Sequence, residues 1–199
     1  MAGTRTRAAA VAALLQEECS NLLALYREKE DFPVDVAEVR LVPVAPPSSQ
    51  LDTRDKLLHL HSALLQCHTL LERAITKEDE MLGGGEKGKY EKQREMVKNR
   101  LSHLIISTGE LLKAADGSPI LIPHSDDPEE PFSPSHSQPR SPTVLFKLKL
   151  WIYQIYKEVD HWTKAVIATL KELPAETDRK RKRIMPATRS ARITRSMRR

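Results

Sequence analysis

Gly83 and the pair Gly88-Lys89 in GGGEKGKY have the G-x-x-x-x-G-K spacing of a phosphate-cradling loop. Such a loop needs Ser or Thr next, to reach Mg²⁺, and a buried strand before it. Here Tyr90 follows, and the preceding KEDEML is charged and helical in character. The stretch reads as a flexible helix-to-helix turn. The histidines offer no better chemistry. His59 and His61 lie about 200° apart around a helix, and His61 and His68 about two turns apart, so neither pair can share an ion. No H-E-x-x-H and no i,i+4 histidine pair occurs, so the histidines read as surface or boundary residues and no metal is expected. No Ser-His-Asp or Cys-His arrangement emerges. Glu28, Glu30, Asp31 and the run Glu78-Asp79-Glu80 read as solvated charge. The expectation is a protein with no catalytic residues and no cofactor.

Two features stand out for binding instead. The first is the C-terminal segment Arg179-Lys180-Arg181-Lys182-Arg183, continued by Arg189, Arg192, Arg195, Arg198 and Arg199. From Pro174 to Arg199 there are 10 Lys and Arg against 2 Asp and Glu, a net of +8, while the rest of the chain holds 22 against 25, a net of −3. The overall +5 therefore belongs to a tail and says little about the folded part. The tail reads as a disordered solubilising segment, a nuclear-import signal, or a strip for heparan sulfate or nucleic acid. It has no aromatic residue for base stacking. The second feature is Phe146-Lys147-Leu148-Lys149. Leu145 and Leu148 take a core face, Phe146 sits about 100° off it, and Lys149 follows Phe146 by three residues, nearly one turn on. An exposed aromatic beside a cation has the character of a binding hot spot. The bland alternative is a Phe tucked under the preceding loop.

Helices must position both. From Ser141 to Leu173 apolar residues recur at Leu145, Leu148, Ile152, Ile155, Val159, Trp162, Val166, Thr169 or Leu170, and Leu173. The alternating steps of three and four mark one face of a helix, with Thr143 as its candidate cap and Pro174 as its stop. A first helix over about 6–30 carries Ala8, Val11 or Ala12, Leu15, Cys19, Leu22 and Tyr26 on one face. A second, over about 52–82, is capped by Asp52 or Thr53 and shows Leu57, Leu60, Leu64, Cys67, Leu71 and Ala74. A third, over about 90–115, shows Val97, Leu101, Leu104, Thr108, Leu111 and Ala115, with Asp116-Gly117 ending it. The fourth spans about 143–173.

Prolines 33, 43, 46 and 47 exclude helix between the first two, and Val34 to Val42 is expected to strap that loop onto a bundle. Seven prolines between Ser118 and Pro142 mark a second long connection that can bury little and reads as mobile. Two long crossovers around one short turn predict an all-α, long-chain four-helix bundle, up-up-down-down, over residues 1–173, with 174–199 as the basic tail. Up-down-up-down with oversized loops is the alternative.

Composition agrees. The chain has 199 residues, 40% hydrophobic and only 5% aromatic, which suits a helical core of Leu, Ile, Val and Ala. No run approaches the roughly 20 apolar residues of a membrane span, so no membrane insertion is expected. Cys19 and Cys67 exclude a disulfide-rich scaffold and read as two buried thiols, with one bridge as the alternative. The N-terminal AAAVAALL is short and Ala-rich and makes a poor signal peptide. Asn21 and Asn99 lie outside any glycosylation acceptor.

The segment VLFKLKLWIYQIYKEVDHWTKAVIATLKEL resembles the fourth helix of the interleukin-6 family of cytokines. The resemblance is to its ciliary-neurotrophic-factor branch, with cardiotrophin-like relatives next nearest. It rests on Leu145, Phe146, Lys149, Leu150 and Trp151, then Trp162-Thr163 eleven residues on, and on Asp116-Gly117 followed by Ser-Pro-Ile. About 30 residues carry it; the basic tail has no counterpart. The resemblance implies a neurotrophic growth factor that assembles cell-surface receptor chains for JAK/STAT signalling. The expected partners are a specificity chain like the ciliary neurotrophic factor alpha receptor, a leukemia inhibitory factor receptor-like chain and a shared signal-transducing chain. It implies that Phe146 and Lys149, with Trp151, face the leukemia inhibitory factor receptor-like chain. The shared chain would meet the exposed faces of helices one and three. The specificity chain would meet the end of helix four and the first long loop. Action outside the cell after unconventional release from the cytoplasm is implied. The rival class is an intracellular helical adaptor or nuclear protein that uses the tail.

Overall fold

The computed structural model describes residues 2–31, 39–83, 88–116 and 141–173. They form an all-α bundle of four helices: α1 (Ala2–Glu30), α2 (Thr53–Glu78), α3 (Lys89–Asp116) and α4 (Pro142–Glu172). A single π-helical turn, Asp79–Gly83, extends α2.

The helix ends follow local chemistry. Asp52 caps α2, its Oδ1 accepting from the Asp55 amide at 2.7 Å. The cap of α4 is Ser141, whose hydroxyl accepts from the Val144 amide at 3.4 Å, with Pro142 just inside the helix. Thr143, the candidate cap by sequence, lies one turn position within the helix and is exposed, because Pro142 is already pre-set for helical φ. Leu173 is extended at φ −61° and ψ 131°, as a residue preceding proline prefers. α1 ends at Asp31, which takes the left-handed φ of 49°. It also starts at Ala2, ahead of the expected residue 6.

The helices pack in four pairs, α1 with α3 and α4, and α2 with α3 and α4. At the start of α1, Arg5 Nε donates to the carbonyl of Leu170 near the end of α4 (2.9 Å). At the end of α1, the Tyr26 hydroxyl donates to the Lys149 carbonyl in the first turns of α4 (3.1 Å). α2 and α3 are joined by His61–Thr108 at 3.1 Å and Arg94–Glu78 at 2.6 Å. α1 and α3 are joined by Arg100–Glu18 at 2.8 Å and Lys29–Glu91 at 3.4 Å. Lys56 at the start of α2 meets Glu172 at the end of α4. Each packed pair is thus antiparallel.

The core is the four stripes read from the sequence. On α4, Leu148, Ile152, Ile155, Val159, Trp162 and Val166 are all fully buried, and Leu145 and Leu173 close its ends half-buried. Leu15 and Leu22 of α1, Leu57 to Ala74 of α2, and Val97, Leu101 and Leu104 of α3 complete it. Cys19 and Cys67 are free thiols within it. Burial pushes both thiols up, and the carboxylates of Asp160 near Cys19 and Glu158 near Cys67 add to the shift.

The described end of the expected strap packs on the bundle at Leu41 and Val42, whereas Val39 is exposed. Val42 is buried, and the Leu41 amide donates to Glu158 Oε2 at 3.4 Å. Glu158 also accepts from the Trp162 indole at 2.8 Å, and Arg40 lies 3.8 Å from it. Residues 34–38 of the expected strap, residues 84–87 of the expected turn, the second long connection and the basic tail lie outside the described residues.

α1 is, by length and composition, long and apolar enough to cross a membrane, which the sequence pattern had not suggested. Its apolar stripe, Ala8, Ala12, Leu15, Cys19, Leu22 and Tyr26, is buried in the bundle core.

Candidate functional site

α1 and α2 finish, and α3 and α4 begin, at one end of the bundle. All four tyrosines of the chain gather there: Tyr26, Tyr90, Tyr153 and Tyr156, each buried. Tyr26 stacks on Tyr153 with ring centres 6.5 Å apart and meets Tyr156 edge-on at 5.3 Å. Tyr90 lies 5.6 Å from Tyr26.

A carboxylate sits among these rings. Glu78 is 3% exposed. Its Oε2 accepts from Arg94 at 2.6 Å and from the Tyr90 hydroxyl at 2.8 Å, and its Oε1 accepts from Lys29 at 3.1 Å. Because Tyr90 donates to Glu78, it receives the Tyr156 hydroxyl, 2.6 Å away. Lys29 stands 4.0 Å over the face of Tyr90. The acid is thus matched by two cations and a hydroxyl, as a buried charge must be. Burial pushes the hydroxyls of Tyr26, Tyr90 and Tyr156 up, and the negative Glu78 adds to it. Arg94 is held above its usual range by its hydrogen bond to Glu78, against the opposing effect of burial.

This cluster is the platform under the first turns of α4. Phe146 projects there, 56% exposed. Lys149 lies one turn on, its Nζ 2.5 Å from Glu30 Oε2. Arg27 donates to the Tyr153 hydroxyl from Nε at 2.8 Å. From α1, the last turns bring Tyr26, Arg27 and Glu30 to this surface.

Of the three residues implied by the resemblance, Phe146 and Lys149 share this surface. Trp151 does not: at 7% exposure it is a core residue, since its position turns it toward the bundle axis. Arg179 to Arg183 lie outside the described residues.

Sequence reasoning missed Glu30 and Glu78, which it took for solvated charge. Glu78 is buried, and the Glu30 side chain is only 6% exposed. The signal was present. Glu78 follows Ala74 by four residues and Glu30 follows Tyr26 by four, so both continue buried stripes. Tyr90 and Arg94 likewise extend the α3 stripe backwards from Val97. The Tyr90 that breaks the phosphate-loop pattern is an anchor of the cluster, and the segment before Gly83 is helical.

Two histidines of α2 take partners across the α2–α3 seam, whereas the buried Nδ1 of His59 has no hydrogen-bond partner. His61 pairs with Thr108, and His68 with Ser102 at 2.9 Å. Among the described residues no three His, Cys, Asp or Glu side chains gather as a metal site.

No protein-family model, curated protein or solved structure matches this chain.

Proposed function

We propose that the chain is a helical cytokine of the interleukin-6 family, in its ciliary-neurotrophic-factor branch, acting as a neurotrophic growth factor without catalysis. The observation that carries this reading is Phe146, a large aromatic exposed on the first turn of α4 with Lys149 one turn away. A buried Phe146 would have argued against it. The antiparallel packing of α1 and α2 on α3 and α4 supports an up-up-down-down bundle with two long crossovers, the topology of long-chain cytokines.

In this reading Phe146 inserts into a leukemia inhibitory factor receptor-like chain and Lys149 meets an acid on it. A shared signal-transducing chain and an alpha-type specificity chain bind elsewhere on the bundle. Joining the chains lets their intracellular kinases activate one another in JAK/STAT signalling. The cytokine acts outside the cell, and its basic tail adds affinity for heparan sulfate.

The test is to add the purified protein to cells carrying or lacking each of the three receptor chains and to read STAT phosphorylation. The reading expects a response that disappears when the leukemia inhibitory factor receptor-like chain is left out. A response independent of all three chains, or none in cells carrying all of them, refutes it.

The +8 tail favours a second reading, an intracellular helical adaptor or nuclear protein. Deleting residues 175–199 separates the two. A cytokine keeps its receptor response, whereas a nucleic-acid binder loses a steeply salt-dependent affinity.

A further inference from the structure

The last turn of α1 grips Lys149 twice. The Tyr26 hydroxyl donates to its backbone carbonyl at 3.1 Å, and Glu30 Oε2 lies 2.5 Å from its ammonium. Glu30 is the more buried partner, with 6% of its side chain exposed against 32% for Lys149. The cation also sits at the C-terminal end of α1, where the helix dipole favours positive charge. Phe146, one turn away, stands out at 56% exposure.

From this geometry we infer that Glu30 is a positioning and specificity-determining residue for receptor recognition by Lys149, an inference that rests on the proposed cytokine function. Lys149 is a shared cation. An ammonium has three donors, and Glu30 occupies one, which leaves others for a carboxylate on the receptor chain. A receptor acid cannot simply take Lys149 away, because that would strand the buried Glu30 carboxylate without its counter-ion. It must join the pair. Glu30 therefore fixes where the ammonium stands relative to Phe146, and so where a partner must carry its acid. A long, rotamer-rich lysine is otherwise a poor reference point, since ordering it on binding costs free energy. Here the ordering is done in the free protein.

The neighbouring charges do not substitute for Glu30. Lys29 on the same turn is engaged with Glu78 and Glu91. Arg27 is engaged with Tyr153. Glu91, another acid facing this end of α1, pairs with Lys29 at 3.4 Å.

The test is a double-mutant cycle between Glu30 and Lys149. Wild type, Glu30→Gln, Lys149→Ala and the double variant are titrated onto the immobilised ectodomain of the leukemia inhibitory factor receptor. Glu30→Gln is expected to weaken binding about tenfold in the wild-type background and to have no further effect once Lys149 is Ala. Glu30→Asp, which keeps the charge but shortens the reach, should lie between Gln and wild type and guards against a Gln variant that fails to fold. Equal or tighter binding by Glu30→Gln overturns the inference, because Glu30 would then be a competitor for Lys149. So does an equal loss in both backgrounds, which a general structural role would give. Phe146→Ala is titrated alongside. If it binds weakly while Glu30→Gln binds normally, only this inference fails. If Phe146→Ala binds as wild type does, or wild type itself does not bind, the functional reading falls with it.

Discussion

The middle of the bundle and its tyrosine end are built on the same four stripes but held by different physics. In the middle, Leu15, Leu64, Leu101 and Val159 are fully buried and fill space. Their contribution scales with the volume and apolar area they occupy, so neighbours can partly compensate for a loss. At the end, the same stripes deliver Tyr26, Glu78, Arg94 and Tyr156. There stability depends on every donor and acceptor having its partner, and a single deletion leaves a charge unmatched. The middle tolerates change by degrees; the end is closer to all or none. The exposed pair Phe146 and Lys149 stands on the less tolerant region, which fits a surface that must keep a fixed shape.

The comparison can be broken most sharply at Glu78. Glu78→Ala leaves Arg94 buried without its main acid and removes an acceptor from Tyr90 and Lys29. It should cost about 3–5 kcal/mol in urea unfolding. A loss below about 1 kcal/mol would mean that the network contributes no more than a surface pair. In the middle, Leu64→Ala should cost about 2–5 kcal/mol, and Leu64→Met less than about 1.5, because volume is what matters there. Equal losses for the two would contradict that account.

How much of this was legible follows the same division. The stripes of α2 and α4 were readable because Leu, Ile and Val at steps of three and four have one meaning, burial. The short loop between α2 and α3 predicts antiparallel neighbours, and His61–Thr108 with Arg94–Glu78 fits that pairing. The polar members of the stripes were not readable in the same way. Glu30 and Glu78 occupy core positions by spacing, but an isolated glutamate is far more often solvated. Their three-dimensional partners, Lys149 for Glu30 and Arg94 on the next helix for Glu78, reverse that expectation. Trp151 misled for the opposite reason: membership of a motif does not say which way a side chain faces.

A smaller effect sharpens the comparison further. His61 lies on the α2–α3 seam toward the end opposite the tyrosines, and its ring is held below its ordinary range mainly by burial, with Lys113 adding to the shift. The unfolded chain, with a histidine pKa of about 6.5, takes up that proton first as pH falls. The stability tied to neutral His61 is therefore present above about pH 6.5 and is lost as pH drops through the lowered folded value. Urea midpoints should decline between about pH 7 and about pH 5, and His61→Gln should flatten part of that decline. An unchanged slope in the variant would remove His61 from the account.

The central claim is that the first turns of α4 carry a receptor surface. Its most direct measurement is the double variant Phe146→Ala with Lys149→Ala, assayed for STAT phosphorylation and for its circular-dichroism melt. Phe146 is 56% exposed and its loss should leave the melt unchanged, whereas removing Lys149 strips Glu30, 6% exposed, of its cation, so the variant should stay folded with a melt lowered by that one pair. Loss of a binding anchor costs about 2 kcal/mol or more, so signalling should be abolished. A folded double variant that signals at full potency would contradict the account.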